Sequence, residues 1–113
     1  MCYKLFLDDI REVSDIYSDT RHFVLVRNYE DFLSCIKSNG LPTFISFDND
    51  LGADENGNIL PDGYACAKWL VYESCFNLSN LKFRVHSANT VAKVQIQSLL
   101  DNYIQFLKDN GFS

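Results

Sequence analysis

Short apolar runs alternate with segments of helical periodicity along this chain. The runs have the aromatic and β-branched character of buried strands, and they cover residues 3–7, 22–26, 44–47 and 83–86. Apolar residues recur at intervals of three and four, as in helices, over residues 28–40, 64–76 and 91–107. A further helix, with a poorly defined pattern, is expected between residues 10 and 20. This alternation predicts one α/β domain over residues 1–113, with a parallel sheet of about four strands and helices on both faces.

The order of the strands decides where a ligand would bind. In open parallel sheets, ligands lie beyond the carboxyl ends of the strands, near the point where the strand order reverses. For the order 2-1-3-4, that point lies between the first and third predicted strands. Asp8 and Asp9 directly follow the first of these strands, and Asp48 directly follows the third. We therefore expect the three carboxylates to meet at one edge of the sheet.

Three neighbouring carboxylates repel one another unless they are protonated or neutralised by a cation. Ligands that are all oxygen atoms suit a hard ion such as Mg²⁺. Asp8, Asp9 and Asp48 are therefore predicted to bind Mg²⁺, or Mn²⁺ in its place. A solvated exit from strand to loop is the alternative interpretation of the Asp8-Asp9 pair, and the convergence with Asp48 favours the metal site.

The fourth predicted strand ends at the same edge and adds His86, Ser87 and Asn89. Ser87 can donate its hydroxyl to a phosphate oxygen, whereas Asn89 can donate its amide to the same group or cap the last helix. His86 can act as a general acid because its ordinary pKa lies near neutrality, or it can be a satisfied core histidine. Both pairs of alternatives stay open at the level of sequence.

Arg11 and Lys93 are the basic residues that adjoin this site in sequence. Either can bind a phosphate, although a solvated surface position is the simpler interpretation of each. His22 begins the second predicted strand, at the opposite end of the sheet, so we expect no chemistry from it.

Charge and hydropathy limit the partners and the compartment. The net charge is −5 without any basic block, which disfavours binding along duplex nucleic acid but allows a small phosphorylated ligand or one RNA end. No apolar run approaches the roughly 18 residues of a membrane span. The start of the chain lacks the features of a signal peptide, so we expect a cytoplasmic location and four buried thiols rather than disulfides.

Several motifs resemble those of response-regulator receiver domains. LFLDD resembles their first strand with its acidic pair, Asp48 stands where their phosphoacceptor aspartate stands, and Ser87-Ala88 resembles the pair that ends their fourth strand. The closer resemblance is to cyclic-phosphate processing receiver domains, and it covers nearly the whole chain. It rests on LDD-x-R, SFD-x-DLG, a GY-led helix and HSAN, which occupy residues 7–11, 46–52, 63–64 and 86–89.

This resemblance implies a flavodoxin-like or receiver-like three-layer sandwich with strand order 2-1-3-4. It also implies metal-dependent hydrolysis of a cyclic phosphate on a nucleotide or an RNA end. The metal ligands would be Asp8, Asp9 and Asp48, and the catalytic residues would be Asp48, His86 and Ser87. The phosphate-binding residues would be Arg11, Ser87, Asn89 and Lys93.

Two departures from the family patterns favour an alternative function. Receiver domains use a lysine on a fifth strand, and no strand-like run follows the last predicted helix, so aspartyl-phosphate switching is not expected. Relatives often carry a histidine inside SFD-x-DLG and a Pro-Val-Gly-Arg-like sequence after HSAN, where this chain has Asn49 and residues 90–93. The alternative is a non-catalytic module that binds a nucleotide or a partner on a degenerate receiver fold.

Overall fold

The computed structural model describes residues 3–52, 55–57 and 61–111. The strands are β1 (Lys4–Leu7), β2 (Phe23–Val26), β3 (Phe44–Phe47) and β4 (Lys82–Val85). The α-helices are α1 (Tyr29–Asn39), α2 (Gly63–Tyr72) and α3 (Thr90–Asp109). Each lies where the sequence pattern predicts it, and only the end of α2 differs from the prediction by more than two residues.

The four strands run parallel in the order β2-β1-β3-β4, which confirms the predicted sheet. Leu7 pairs with Val26 on one side and with Phe47 on the other, and Phe47 in turn pairs with Val85. The strands therefore end level with one another. Residues that follow β1, β3 and β4 leave the sheet side by side at its carboxyl edge.

One face of the sheet carries the hydrophobic core. Side chains alternate between the faces of a strand, and those that point to this face are fully buried: Leu5, Leu7, Ile45, Phe47 and Val85. They share one cluster with the buried residues of all three helices, including Phe32, Trp69 and Ile96. Burial of side chains of this size supplies most of the free energy that stabilises a fold.

The second face of the sheet has a thinner cover than predicted. The chain between β1 and β2, where a further helix was expected between residues 10 and 20, forms a single 3₁₀ turn at Val13–Asp15. Tyr17, just beyond the turn, packs edge-to-face on Phe6. The prediction of helices on both faces therefore holds for one face only, among the residues that the structure describes.

Helix α1 begins and ends where its sequence signals predict. The Asn28 side chain accepts a hydrogen bond from the Asp31 N–H at the start, and acidic residues occupy the first turn. Gly40 ends the helix with a φ of 83°, a conformation that favours glycine. Asn28 and Gly40 thus fix both ends of the helix.

Helix α2 ends four residues earlier than its apolar pattern predicts, at Tyr72 rather than residue 76. Ser74 accounts for the early end, because its hydroxyl donates to the Leu70 carbonyl and accepts from the Phe76 N–H. Side-chain bonds of this kind compete with helix continuation. Phe76 still packs against the core from the loop.

The remaining predictions concern the long loop, the cysteines and membrane spans. Residues 53–54 and 58–60 of the predicted loop over 51–63, and Cys2, lie outside the described residues. Cys66 is buried as predicted, whereas Cys35 is half-buried and Cys75 is exposed. Within the described ranges, no helix has the length and apolar character needed to cross a membrane.

Candidate metal and phosphate site

The carboxyl ends of β1 and β3 bring the predicted acidic residues together. The Asp48 N–H donates to the Leu7 carbonyl at 2.9 Å, which extends the β1–β3 pairing by one residue beyond the strands. Asp8, Asp48 and His86 each place one potential ligand atom within 4.8 Å of the others. The predicted convergence of Asp8 and Asp48 is thus present in the structure.

Asp8 is fully buried and is held by four polar contacts. Its Oδ1 accepts from the N–H groups of Ile10 and Arg11 at 3.0 and 2.9 Å. Its Oδ2 accepts from Arg11 Nη1 at 3.1 Å and lies 2.9 Å from His86 Nε2. Burial alone raises the pKa of Asp8, but these hydrogen bonds outweigh it and lower the pKa below its ordinary value. Asp8 is therefore an ionised carboxylate whose lone-pair directions are occupied by protein donors.

His86 is a buried link between Asp8 and Ser46. Its ring stacks on Phe6 at 4.7 Å between centroids, and its Nδ1 lies 2.7 Å from Ser46 Oγ. Since ionised Asp8 can only accept, Nε2 carries the proton and Nδ1 accepts from the serine hydroxyl. Burial lowers the pKa of His86 despite the opposing contact with Asp8, so the ring is neutral at neutral pH. Of the two interpretations of His86, this geometry supports the satisfied core histidine.

Tyr17 and Ser46 extend this chain of hydrogen bonds away from the acidic edge. The Tyr17 hydroxyl lies 2.8 Å from Ser46 Oγ, and it can donate because Ser46 donates onward to His86. Sequence reasoning missed both residues. The position of Ser46 inside the apolar run FISF was a usable signal, since a buried hydroxyl needs a partner, whereas nothing in the pattern around Tyr17 marked it.

Asp48 is buried in surroundings that disfavour its ionised form. Its Oδ1 accepts the Asn49 N–H at 2.9 Å, and only 6% of the residue is exposed. Burial, and then the negative charge of Asp8, raise the pKa of Asp48 from 3.8 to about 6. A divalent cation beside this carboxylate would relieve both effects.

A cleft of about 220 Å³ opens in front of these acids. Its lining includes the predicted site residues Asp9, Arg11, Asp48 and Ser87, together with Asp50, Ile10 and Ala88. Asp50 is a further carboxylate that the sequence analysis did not assign to the site, although its place two residues after Asp48 was visible. The three carboxylates that line the cleft offer oxygen atoms, which suit a hard divalent cation. Among the described residues, however, the group whose potential ligand atoms lie within 4.8 Å of one another is Asp8, Asp48 and His86, so the predicted ligand Asp9 lines the cleft without belonging to it.

The other predicted phosphate ligands differ in their placement. Ser87 is buried at the cleft, and its Oγ accepts the Asn89 N–H at 3.1 Å, which leaves its own proton free to donate. The Asn89 side chain accepts from the Ala92 N–H at the start of α3, so Asn89 has the capping role that was one of its two interpretations. Lys93 is exposed on α3 and is not among the described residues that line the cleft.

Asn49, which departs from the family pattern, bonds to the start of α2 and also donates its Nδ2 to Asp50 Oδ1 at 3.3 Å. Its Oδ1 accepts from the Tyr64 N–H at 3.2 Å, and its carbonyl accepts from the Gly63 N–H at 2.8 Å. Asp62 caps the same helix by accepting from the Ala65 N–H. Asn49 therefore satisfies N–H groups at the start of α2 and fixes the backbone that carries Asp48.

Arg27 holds the loop that follows β1 and was also missed by sequence reasoning. Its Nη1 donates to the carbonyls of Asp8 and Arg11 at 3.3 and 2.7 Å, and its Nη2 donates to Glu12. These bonds from the residue that follows β2 keep the Arg11 backbone in place. They thereby help to position the backbone N–H groups whose hydrogen bonds lower the pKa of Asp8.

The sequence that forms this site matches a known family. Residues 3–102 match the family described as the cyclic-phosphate processing receiver domain. No curated protein and no solved structure matched the chain. The match runs from the residue before β1 to residue 102 within α3, and it includes the acidic residues that line the cleft. With a match over most of its length, the chain belongs to the cyclic-phosphate processing receiver domain family.

Proposed function

We propose that this protein is a metal-dependent enzyme that hydrolyses a cyclic phosphate on a nucleotide or an RNA end. The observation that carries the proposal is the cleft at the ends of β1 and β3, where Asp9, Asp48 and Asp50 face Arg11 and Ser87. A volume of about 220 Å³ is below the usual range for a whole drug-sized ligand. It suits a phosphate and part of a sugar, with the rest of the substrate outside.

Mg²⁺ or Mn²⁺ would be held by Asp9 and Asp48, with Asp8 behind them. Bound there, the cation would neutralise phosphate charge and lower the pKa of a coordinated water. Asp8 is fully engaged by hydrogen bonds from the protein. In this proposal it therefore adds negative charge to the site and orients its neighbours, rather than offering a free lone pair.

The protein residues would each act on a defined part of the reaction. Water would add to phosphorus, the bond to one ribose oxygen would break, and that oxygen would take up a proton from solvent water, which gives a phosphomonoester and a free ribose hydroxyl. Asp48 can take the proton that the attacking water loses, while Ser87 and Arg11 donate hydrogen bonds to the phosphate oxygens as negative charge develops. His86, with both ring nitrogens engaged, positions Asp8 in this scheme and does not protonate the leaving oxygen.

Replacing Asp9 by asparagine tests this proposal without removing a core contact. Asp9 is half-buried at the cleft, so the fold should tolerate Asp9→Asn. We expect hydrolysis of 2′,3′-cyclic nucleotides with Mg²⁺ or Mn²⁺ to fall by at least about a hundredfold. Asp101→Asn on the exposed surface of α3 is the matched control and should retain full activity. Absence of turnover in the unmodified protein, above an Asp48→Asn background, would refute the proposal.

A non-catalytic nucleotide-binding role is the second candidate. The engagement of both nitrogens of His86 favours it, because the ring is then not free to act as a general acid. Calorimetry with 2′,3′-cyclic nucleotides separates the candidates: binding without product formation supports the module, and product formation supports the enzyme.

A further inference from the structure

The amino ends of the four strands form a row of aromatic and cationic side chains on the second sheet face. In sheet order, the register places Phe23, Lys4, Phe44 and Lys82 beside one another. Their side chains point to the face that none of the described α-helices covers, as the contacts of Phe23 and Phe44 with Tyr17 establish. We call this row, with Tyr17, the aromatic row.

A cavity of about 490 Å³ lies over the aromatic row. Tyr17, Phe23 and Phe44 form its floor through mutual stacked and edge-to-face contacts. Lys4 and Lys82 line it as well, with Lys4 Nζ 5.0 Å from the centre of the Phe23 ring. Asp19 also lines the cavity, but Arg21 neutralises it with two side-chain hydrogen bonds of 3.0 Å. The cavity therefore combines a flat apolar surface with the positive charges of Lys4 and Lys82. Neither lysine takes part in an ion pair between described residues.

The edge strand β4 links this cavity to the acidic cleft. Lys82 and Arg84 are exposed on the same side of β4, roughly 7 Å apart, which is close to the spacing of phosphates in an extended single strand. Arg84 lies over the Tyr17 ring, 5.7 Å from its centre. From Lys82 to Ser87 at the cleft the chain spans roughly 16 Å, a length that roughly two to three extended nucleotides would cover.

We propose that this face binds single-stranded RNA, with a base in the cavity of the aromatic row and the backbone along β4. The 3′ end of the strand then reaches the acidic cleft, so the identity of that end rests on the proposed function. Aromatic side chains stack bases irrespective of sequence, and nearby cations follow the phosphates. An acidic peptide would satisfy the cations but has no general need for the flat aromatic floor.

The net charge of −5 limits this interaction to a short segment. Of the described residues, the cations on this side of the sheet along the proposed path are Lys4, Lys82 and Arg84, so few counterions are released. Affinity should therefore come from stacking as much as from charge. The site suits the last few nucleotides of a strand rather than a long coated strand.

The charge contribution is tested with a fluorescein-labelled pentauridylate that ends in a linear 3′-phosphate, which needs no turnover. Fluorescence anisotropy should give an affinity roughly tenfold lower for the Lys82→Glu/Arg84→Glu double variant, and a salt dependence with a slope smaller by roughly 1.4. The matched control is Lys37→Glu/Lys68→Glu, which changes the same charge at two lysines that lie over aromatic rings elsewhere. Equal losses in both double variants, or no loss in either, would overturn the proposal.

The stacking contribution is tested with a pentanucleotide that carries 2-aminopurine three positions from its 3′ end. Stacking should quench its fluorescence on binding, and Phe44→Leu, which keeps the apolar bulk, should remove most of that quenching. Unchanged quenching in Phe44→Leu contradicts the assigned base position. Hydrolysis of cyclic mononucleotides without added affinity for the pentanucleotide overturns this inference alone, whereas charge-dependent RNA binding without hydrolysis supports it and rejects the proposed function.

Discussion

Replacing Asp48 by asparagine is expected to stabilise the protein in the absence of divalent cations and to abolish its stabilisation by Mg²⁺. Burial and the nearby Asp8 raise the pKa of Asp48 to about 6. Ionisation of Asp48 at neutral pH therefore lowers the free energy of unfolding. A neutral asparagine removes that disadvantage and can still accept the Asn49 N–H. It also removes a ligand on which the proposed cation depends.

The expected gain in the free energy of unfolding depends on pH. A carboxyl group with a folded pKa above its unfolded value of about 4 lowers stability when it is ionised. The penalty is absent below about pH 4, grows as the pH rises to about 6, and is constant above that. The free energy of unfolding of Asp48→Asn, measured with urea in the presence of EDTA, should exceed that of the unmodified protein by up to about 3 kcal/mol at pH 7.

Three results bear on this prediction. The difference in stability should disappear at pH 4, and a thermal-shift titration with Mg²⁺ should raise the melting temperature of the unmodified protein but not of Asp48→Asn. Asp101→Asn should behave like the unmodified protein in both measurements. A variant that is less stable at pH 7, or that still responds to Mg²⁺, contradicts the account of Asp48.

Replacing Gly63 by alanine is expected to lower stability strongly, although alanine is the better helix former. A Cβ at Gly63 would overlap the carbonyl oxygen of Asp48 and lie 3.0 Å from Asn49 Cα. Both neighbours are backbone, so they cannot move aside as a side chain would. We expect a loss of about 3 kcal/mol in the free energy of unfolding and a weaker Mg²⁺ response, because Asp48 would be displaced.

The sign of the Gly63→Ala effect is the discriminating result. Helix propensity alone predicts a gain of up to about 1 kcal/mol at the first position of α2. Chemical denaturation therefore separates the two contributions directly. A gain in stability with an unchanged Mg²⁺ response would mean that α2 does not press on the Asp48 backbone.

The sheet was predictable because its signals are local. Each strand is an apolar run that ends at a polar residue, and α1 carries its own start and stop residues in Asn28 and Gly40. The end of α2 was less accessible, because Phe76 continues the apolar pattern and still packs against the core after the helix has ended. The thin second layer was likewise unpredictable in detail, since it depends on the contact between Tyr17 and Phe6.

Only those parts of the acidic site that depend on strand order were predictable from the sequence. Asp8 and Asp48 follow from strand order alone, and their position at one edge needs no knowledge of side-chain contacts. The individual roles of the site residues could be assigned only from the side-chain contacts in the structure. His86 and Ser46 are 40 residues apart in sequence and bond through their side chains, which is invisible to any local pattern. For the same reason the sequence left Asn89 undecided between capping and substrate contact.

Paramagnetic broadening by Mn²⁺ in a ¹⁵N-labelled sample tests the central claim, a cation site at the carboxyl ends of β1 and β3, most directly. As Mn²⁺ is added in small steps, the amide signals of Asp9, Asp48 and Ser87 should disappear first, those at the amino ends of the strands should persist longest, and excess Mg²⁺ should restore the lost signals. Broadening that begins at the exposed acids Asp101 and Asp109 of α3, or that Mg²⁺ does not reverse, would contradict the account.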